Sequence, residues 1–191
     1  MSQDGTHIKK HSFTWVQGCW LASAVLLLCA SLISFSTDAL ADISTYLGLP
    51  MLFTGCINIW ICHKKQDRLH GVHWLLADGM CTALLSLFPL FNQLIQAAMI
   101  PFFFGVWELF TGILKMIDAY ELKKEPIKGW AWFRFIGTIE IISGIASLLR
   151  PVEEFVGMNM VVGIILLVQS CSYFLKIWIY PQIAKPDKKE I

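Results

Sequence analysis

Phe102–Ile117 reads FFFGVWELFTGILKMI, with Gly105 and Gly112 seven residues apart. The same spacing returns in Tyr46–Trp60, YLGLPMLFTGCINIW, as Gly48 and Gly55. It returns again in Val161–Trp178, VVGIILLVQSCSYFLKIW, as Gly163 and Ser170. The copies are offset by 57 and 58 residues, and Phe53-Thr54-Gly55 reappears as Phe110-Thr111-Gly112. Upstream of each copy stands a tryptophan, Trp15, Trp74 and Trp132, at offsets of 59 and 58. Gly79 and Gly137 are also 58 apart. Self-similarity at a fixed period marks a repeated supersecondary unit. Each unit here is long enough for two helices of about 20 residues. The chain therefore reads as three helical hairpins, at about 15–65, 74–120 and 130–180.

Composition says where those helices sit. The 191 residues are 56% hydrophobic and 15% charged, with a mean hydropathy of +0.61. Soluble domains carry about 25% charged residues, which argues against an ordinary soluble enzyme. The net charge of +1 gives no basic excess for nucleic acid. Apolar runs at Trp15–Phe35, Ile43–Cys62, Trp74–Phe91, Ala97–Ile117, Trp130–Leu149 and Val156–Trp178 are each long enough to cross a bilayer. They are too long for the alternating segments of about 10 residues found in membrane barrels. The expected fold is all-α: a polytopic membrane protein with six transmembrane helices in one domain, 15–180, between tails at 1–14 and 181–191. Ala39-Leu40-Ala41 after the first run imitates a signal-peptide cleavage site. The run exceeds the usual 7–15 residues and the repeat needs it, so the helix is expected to be retained.

Basic residues set the orientation. Eleven of the fifteen fall in the N-terminal tail (Lys9, Lys10), the second connector (Lys64, Lys65, Arg68), the fourth (Lys123, Lys124, Lys128) and the C-terminal tail (Lys185, Lys188, Lys189). The odd connectors hold only Arg150. Basic loops stay cytoplasmic, so both termini are expected inside. Repeats of like orientation imply a pseudo-symmetry axis along the membrane normal. Trp15, Trp74, Trp130, Trp132, Trp60, Tyr120, Trp178 and Tyr180 would form an interfacial belt on that same side.

Glycines seven apart occupy one helix face, two turns from each other. Lipid-embedded helices associate through close approach at small residues. Gly48, Gly55, Gly105, Gly112, Gly137, Gly144, Gly163 and Ser170 are accordingly expected to be packing positions.

Ionisable groups inside apolar helices are costly and suggest function by default. Gly105, Glu108, Gly112 and Lys115 share one face of the fourth helix. Glu108 and Lys115 lie about 10 Å apart along the axis, too far to pair, so each needs another partner. Glu140 is on the glycine side of the fifth helix, with Arg134 on that side nearer the cytoplasm. Asp78 opens the third helix, with Thr82 and Ser86 behind it. The sixth helix lines up Asn159, Gly163, Ser170 and Tyr173, with Gln169 nearby, and the second contributes Asn58. Asp78, Lys115, Arg134 and Lys176 are near enough to the cytoplasmic face to snorkel. Two readings stay open. Glu108 and Glu140 are neutral or paired and tie the bundle together, or with Asp78 they handle protons or cations.

Other chemistry is sparse. Six cysteines lie in the spans without a Cys-x-x-Cys pair, so no zinc site or disulfide framework is indicated. His63, His70 and His73 share one connector, too few ligands for a metal, although they could sense pH. No catalytic motif appears. Neither a catalytic residue, a cofactor nor a metal is expected; the partner is the lipid bilayer, and a homo-oligomer is compatible with the repeat.

Gly137, Gly144 and Pro151 at seven-residue spacing, followed by Gly163, resemble the HdeD family. The Trp-led third helix ending near Pro89, with Gly105-x-Trp107 and Gly112-Ile113 after it, does so too. The resemblance covers roughly Trp15 to Tyr180 and is clearest from Trp74 onward. It implies a small six-helix bacterial membrane protein linked to acid or envelope stress, without a known catalytic residue. The alternative is a small transporter or channel for protons or small solutes that uses Glu108 and Glu140.

Overall fold

The computed structural model describes residues 4–36, 40–65, 72–91, 99–124, 129–149 and 157–183. These form six helices: α1 (Asp4–Ser36), α2 (Leu40–Lys65), α3 (Val72–Leu90), α4 (Ile100–Lys124), α5 (Trp130–Leu148) and α6 (Met158–Ile183). There is no strand among the described residues. Arg68, His70, Lys128, Arg150, Pro151, Lys185, Lys188 and Lys189 lie outside them. α1 begins at Asp4, inside the segment expected to be a tail. α4 runs to Lys124, seven residues past the end expected for the fourth run. Gly129 and Gly157, with φ of 116° and 87°, supply the left-handed backbone that leads into α5 and α6.

Among the described residues five helices hold a stretch long and apolar enough to cross a membrane. α4 carries Glu108, Lys115 and Asp118 within its apolar run. The structure resolves that conflict by turning polarity inward. Glu108 and Glu140 are 0% exposed and Lys115 is 3% exposed, whereas Leu84, Phe110, Phe135, Ile142 and Phe174 are exposed. A soluble fold buries the second set and exposes the first. With hydrocarbon as solvent the preference reverses for charge. The chain is thus built as a multi-pass membrane protein.

Consecutive helices run antiparallel and close into a ring. Gly48 at the start of α2 lies against Pro89 and Leu90 at the end of α3. Gly105 meets Ser147 and Gly144, and Gly112 meets Gly137, so α4 and α5 face each other along their length. α6 returns to α1, where the Ser31 hydroxyl donates to the Gly163 carbonyl, Ser34 to that of Asn159 and Ser170 to that of Ala24, each at 2.8 Å. The intimate seams are therefore α2–α3, α4–α5 and α1–α6, with looser contact between α1 and α2, α3 and α4, and α5 and α6. Each tight seam joins one sequence repeat to the next. The glycine stripes serve these inter-repeat seams rather than the hairpins themselves.

The tightness is specific. A Cβ at Gly112 would lie 2.9 Å from the Gly137 carbonyl and 2.9 Å from the Ile141 amide nitrogen. One at Gly144 would lie 2.8 Å from the Leu109 amide nitrogen. Backbone cannot yield as a flexible side chain does, and overpacking of this kind costs about 1–3 kcal/mol. Gly112→Leu and Gly144→Leu are expected to lower the unfolding free energy of the detergent-purified protein by that amount. Gly18, with nothing within 4 Å of a Cβ, is the control: thermal unfolding of Gly18→Ala should match or exceed the parent.

Candidate functional site

The ring encloses two linked polar clusters, both centred on α6. Gln169, Tyr173 and Lys176 stand at i, i+4 and i+7, so they share one face of α6. Gln169 reaches α4, whose Lys115 pairs with Glu140 of α5. Tyr173 and Lys176 reach α2 and α3.

In the first cluster the Lys115 ammonium bonds the Glu140 carboxylate Oε1, a buried ion pair between α4 and α5. Lys115 also donates to Gln169 Oε1 at 3.4 Å. An ammonium is only a donor, so Gln169 must turn its oxygen toward Lys115 and its amide hydrogens away. They go to Glu108 Oε2 at 2.8 Å and to the Thr111 hydroxyl. Thr111 in turn donates to the Glu108 carbonyl at 3.0 Å. Ser143 Oγ lies 3.1 Å from both Glu108 Oε1 and the Glu140 carbonyl oxygen.

In the second cluster Lys176 donates to Asp78 Oδ2 at 2.9 Å, joining α6 to α3. Asn58 Nδ2 donates to the same Asp78 oxygen at 2.9 Å and to the Tyr173 hydroxyl at 2.8 Å. Lys176 also sits over the Tyr173 ring, 4.6 Å from its centroid. Asp118, with a buried Oδ1 that finds no donor, is within electrostatic reach of Lys176, Asp78 and Lys115 and so lies between the clusters. Glu140 Oε2 and Asn58 Oδ1 are likewise buried without a donor.

Several placements differ from expectation. Asp78, Lys115 and Lys176 do not snorkel; each is buried and bonded inward. The reason is local: each has an opposite charge on a neighbouring helix within bonding reach. Arg134 is exposed, and among the described contacts its carbonyl accepts from Thr138 while none joins it to Glu140. Thr82 faces α4, accepting from the Trp107 indole at 2.9 Å, and Ser86 bonds its own helix at Ala83. Gln169 and Ser143 are the residues that sequence reasoning undervalued. The i, i+4, i+7 spacing of Gln169, Tyr173 and Lys176 was the signal for the first; nothing marked Ser143. His63 and His73 are exposed, at the end that carries Lys64 and Lys65.

That end is distinct. Lys64 packs over Trp60, Lys123 over Trp130 and Lys124 over Tyr120, at 5.5, 5.0 and 4.4 Å. Trp15 and Trp60 meet edge to face with centroids 3.7 Å apart. Both ion pairs lie in the half of the ring nearer these lysines. The other half holds the buried Leu27, Leu47, Met51, Phe104, Ile165 and Leu166 and, among described polar groups, uncharged hydroxyls such as Ser31, Ser34, Ser86 and Ser147.

Residues 77–149 match the family of a short repeat of unknown function, DUF308. No curated protein and no solved structure matches the chain. The DUF308 segment spans α3 to α5 and so contains the whole α4–α5 glycine seam. It also holds Asp78, Glu108, Lys115 and Glu140, but not Gln169 or Lys176. The repeat supplies the acids and one lysine, and α6 outside it completes both clusters.

Breaking a buried pair by removing one partner costs about 3–5 kcal/mol, because the survivor keeps its charge. Glu140→Gln is expected to lose that much stability, and adding Lys115→Met should recover most of it. Denaturant titration of the two variants in detergent checks both expectations.

Proposed function

We propose that the chain is a six-crossing protein of the bacterial inner membrane, of the HdeD type, that acts in acid or envelope stress without catalysing a reaction. The DUF308 repeat is the family that contains HdeD-like membrane proteins, which supports the type. The observation that carries the non-catalytic reading is that Glu108 and Glu140 fill a closed seam, 0% exposed and bonded to Ser143, Gln169 and Lys115.

The orientation has both termini and the lysine-bearing end in the cytoplasm, with three like-oriented repeats about an axis normal to the membrane. Support comes from Lys64, Lys65, Lys123 and Lys124 lying at one end beside the aromatic belt. α4 crosses despite its charges because they are satisfied within the ring. The bilayer is the principal partner, with self-association compatible with the exposed apolar surface.

The competing reading, transport through Glu108 and Glu140, needs a polar route across the ring. The buried block from Leu27 to Leu166 occupies the half such a route would have to cross. Vesicles containing the purified protein and an internal pH dye are expected to hold a pH gradient as well as empty vesicles do. Dissipation that disappears in Glu108→Gln and Glu140→Gln would transfer the assignment to transport. The Lys124→Cys variant is expected to react with an impermeant thiol reagent only after the cytoplasmic face is opened; reaction in intact cells would reverse the orientation.

A further inference from the structure

The two ion pairs use two lysines and two carboxylates, yet the ring holds a further fully buried carboxyl, Glu108, with no described cation in bonding reach. The charged groups that face it are Lys115 on its own helix and Glu140 on α5. The first is engaged by the second. α6 presents uncharged Gln169, and on the α3 side Trp107 meets the hydroxyl of Thr82. An ionised Glu108 would therefore be an uncompensated charge in a low-dielectric interior, which is strongly unfavourable.

Hydrogen-bond accounting locates the remedy. Lys115 fixes the direction of the Gln169 amide, so Glu108 Oε2 is an acceptor. Ser143 has one hydroxyl hydrogen but two oxygens at 3.1 Å, Glu108 Oε1 and the Glu140 carbonyl. The carbonyl can only accept. With a proton on Glu108 Oε1, the acid donates to Ser143, Ser143 donates to the Glu140 carbonyl, and every contact has one hydrogen. Without it, one of the two close oxygen pairs has none.

The charged groups near this atom lie to one side of it. From Glu108 the polar groups continue through Lys115 and Glu140 to Asp118, Lys176 and Asp78, toward the lysine-bearing end. In the opposite direction no described charged group follows: Phe104 and Trp107 on α4 and Ile165 and Leu166 on α6 are buried, with the Ser147 hydroxyl of α5 beside Gly105. We propose that Glu108 is a proton-binding site, occupied at neutral pH, that exchanges its proton through the lysine-bearing end of the ring and not across the membrane. The proposal stands on the contacts around Glu108 and does not depend on the stress role.

Infrared spectroscopy of the full chain in lipid tests it. A protonated carboxyl gives a carbonyl stretch distinct from that of a carboxylate, and the band moves in deuterium oxide. Such a band is expected at neutral pH in Asp118→Asn, which removes the other buried carboxyl with an unpartnered oxygen, and is lost when Glu108→Gln is added. The amide introduced by Glu108→Gln can make the same donor and acceptor contacts as the protonated acid, so that variant should fold. Should it not, Ser143→Ala provides the second measurement, shifting the band because the acid loses its acceptor. Absence of the band at neutral pH, or a band unmoved by either Glu108→Gln or Ser143→Ala, overturns the site. In oriented vesicles, alkalinising the lysine-bearing side should discharge the band; discharge only from the opposite side overturns the route. Vesicle leakiness is scored separately by the internal dye, so failure of this site is distinguishable from failure of the non-transport reading.

Discussion

Two ammonium groups placed among apolar helices set the terms for the rest of the ring. Lys115 and Lys176 are both inside, and neither can be left unpaired in hydrocarbon. Each takes a carboxylate from a different helix, Glu140 from α5 and Asp78 from α3. The pairs thereby fix which faces of α4 and α6 turn inward, and the remaining polar side chains follow. Gln169 is oriented by Lys115, and Asn58 and Tyr173 assemble on the Asp78 carboxylate. Such pairs contribute more to uniqueness than to net stability, since desolvation offsets much of their attraction.

Charge pairing specifies rotation but brings no backbone together. That is supplied by the small-residue seams, where close approach replaces the hydrophobic driving force that lipid cannot provide. The two devices are distributed unevenly. α4–α5 has both, with Gly105–Gly144 and Gly112–Gly137 contacts flanking the Lys115–Glu140 pair. α1–α6 has neither charge nor paired glycines among its described contacts; hydroxyls of Ser31, Ser34 and Ser170 on backbone carbonyls hold it instead. Gly163 there receives the Phe35 ring, 2.6 Å from where a Cβ would be. A glycine at the same repeat position thus serves a backbone in one seam and an aromatic ring in another.

The helices and their spacing were legible because apolar length and seven-residue glycine intervals are properties of single segments. Which helices those glycines join was not. Gly55 against Gly79, or Gly112 against Gly137, is a relation between segments, and the repeat alone is equally consistent with packing inside each hairpin. The same limit applies to the charges. Periodicity placed Glu108 and Lys115 on one face and ruled out their mutual pairing by rise. It carried no information on whether Lys176 would reach out to water or across to Asp78. Arg134 shows the converse: one residue of error in the helical phase of α5 moves a side chain from the seam to the exterior.

The position of the polar clusters along the helices constrains what they can do. Glu108 is eight residues from the start of α4, about 12 Å along its axis, and the apolar block lies between it and that end. A group crossing there would have to open contacts among Leu27, Phe104, Trp107 and Leu166, which are buried to 1% exposure or less. Protein interiors are close-packed, so such an opening means displacing helices rather than rotating one side chain. Of the two ring seams that α4 makes, the looser is the one with α3. The Trp107–Thr82 hydrogen bond and the stacking of Phe88 on Phe103, with centroids 4.2 Å apart, span it on this side of Glu108. The looser of the two ring seams that α4 makes is thus reinforced at the level where parting would connect the buried acid to the far face.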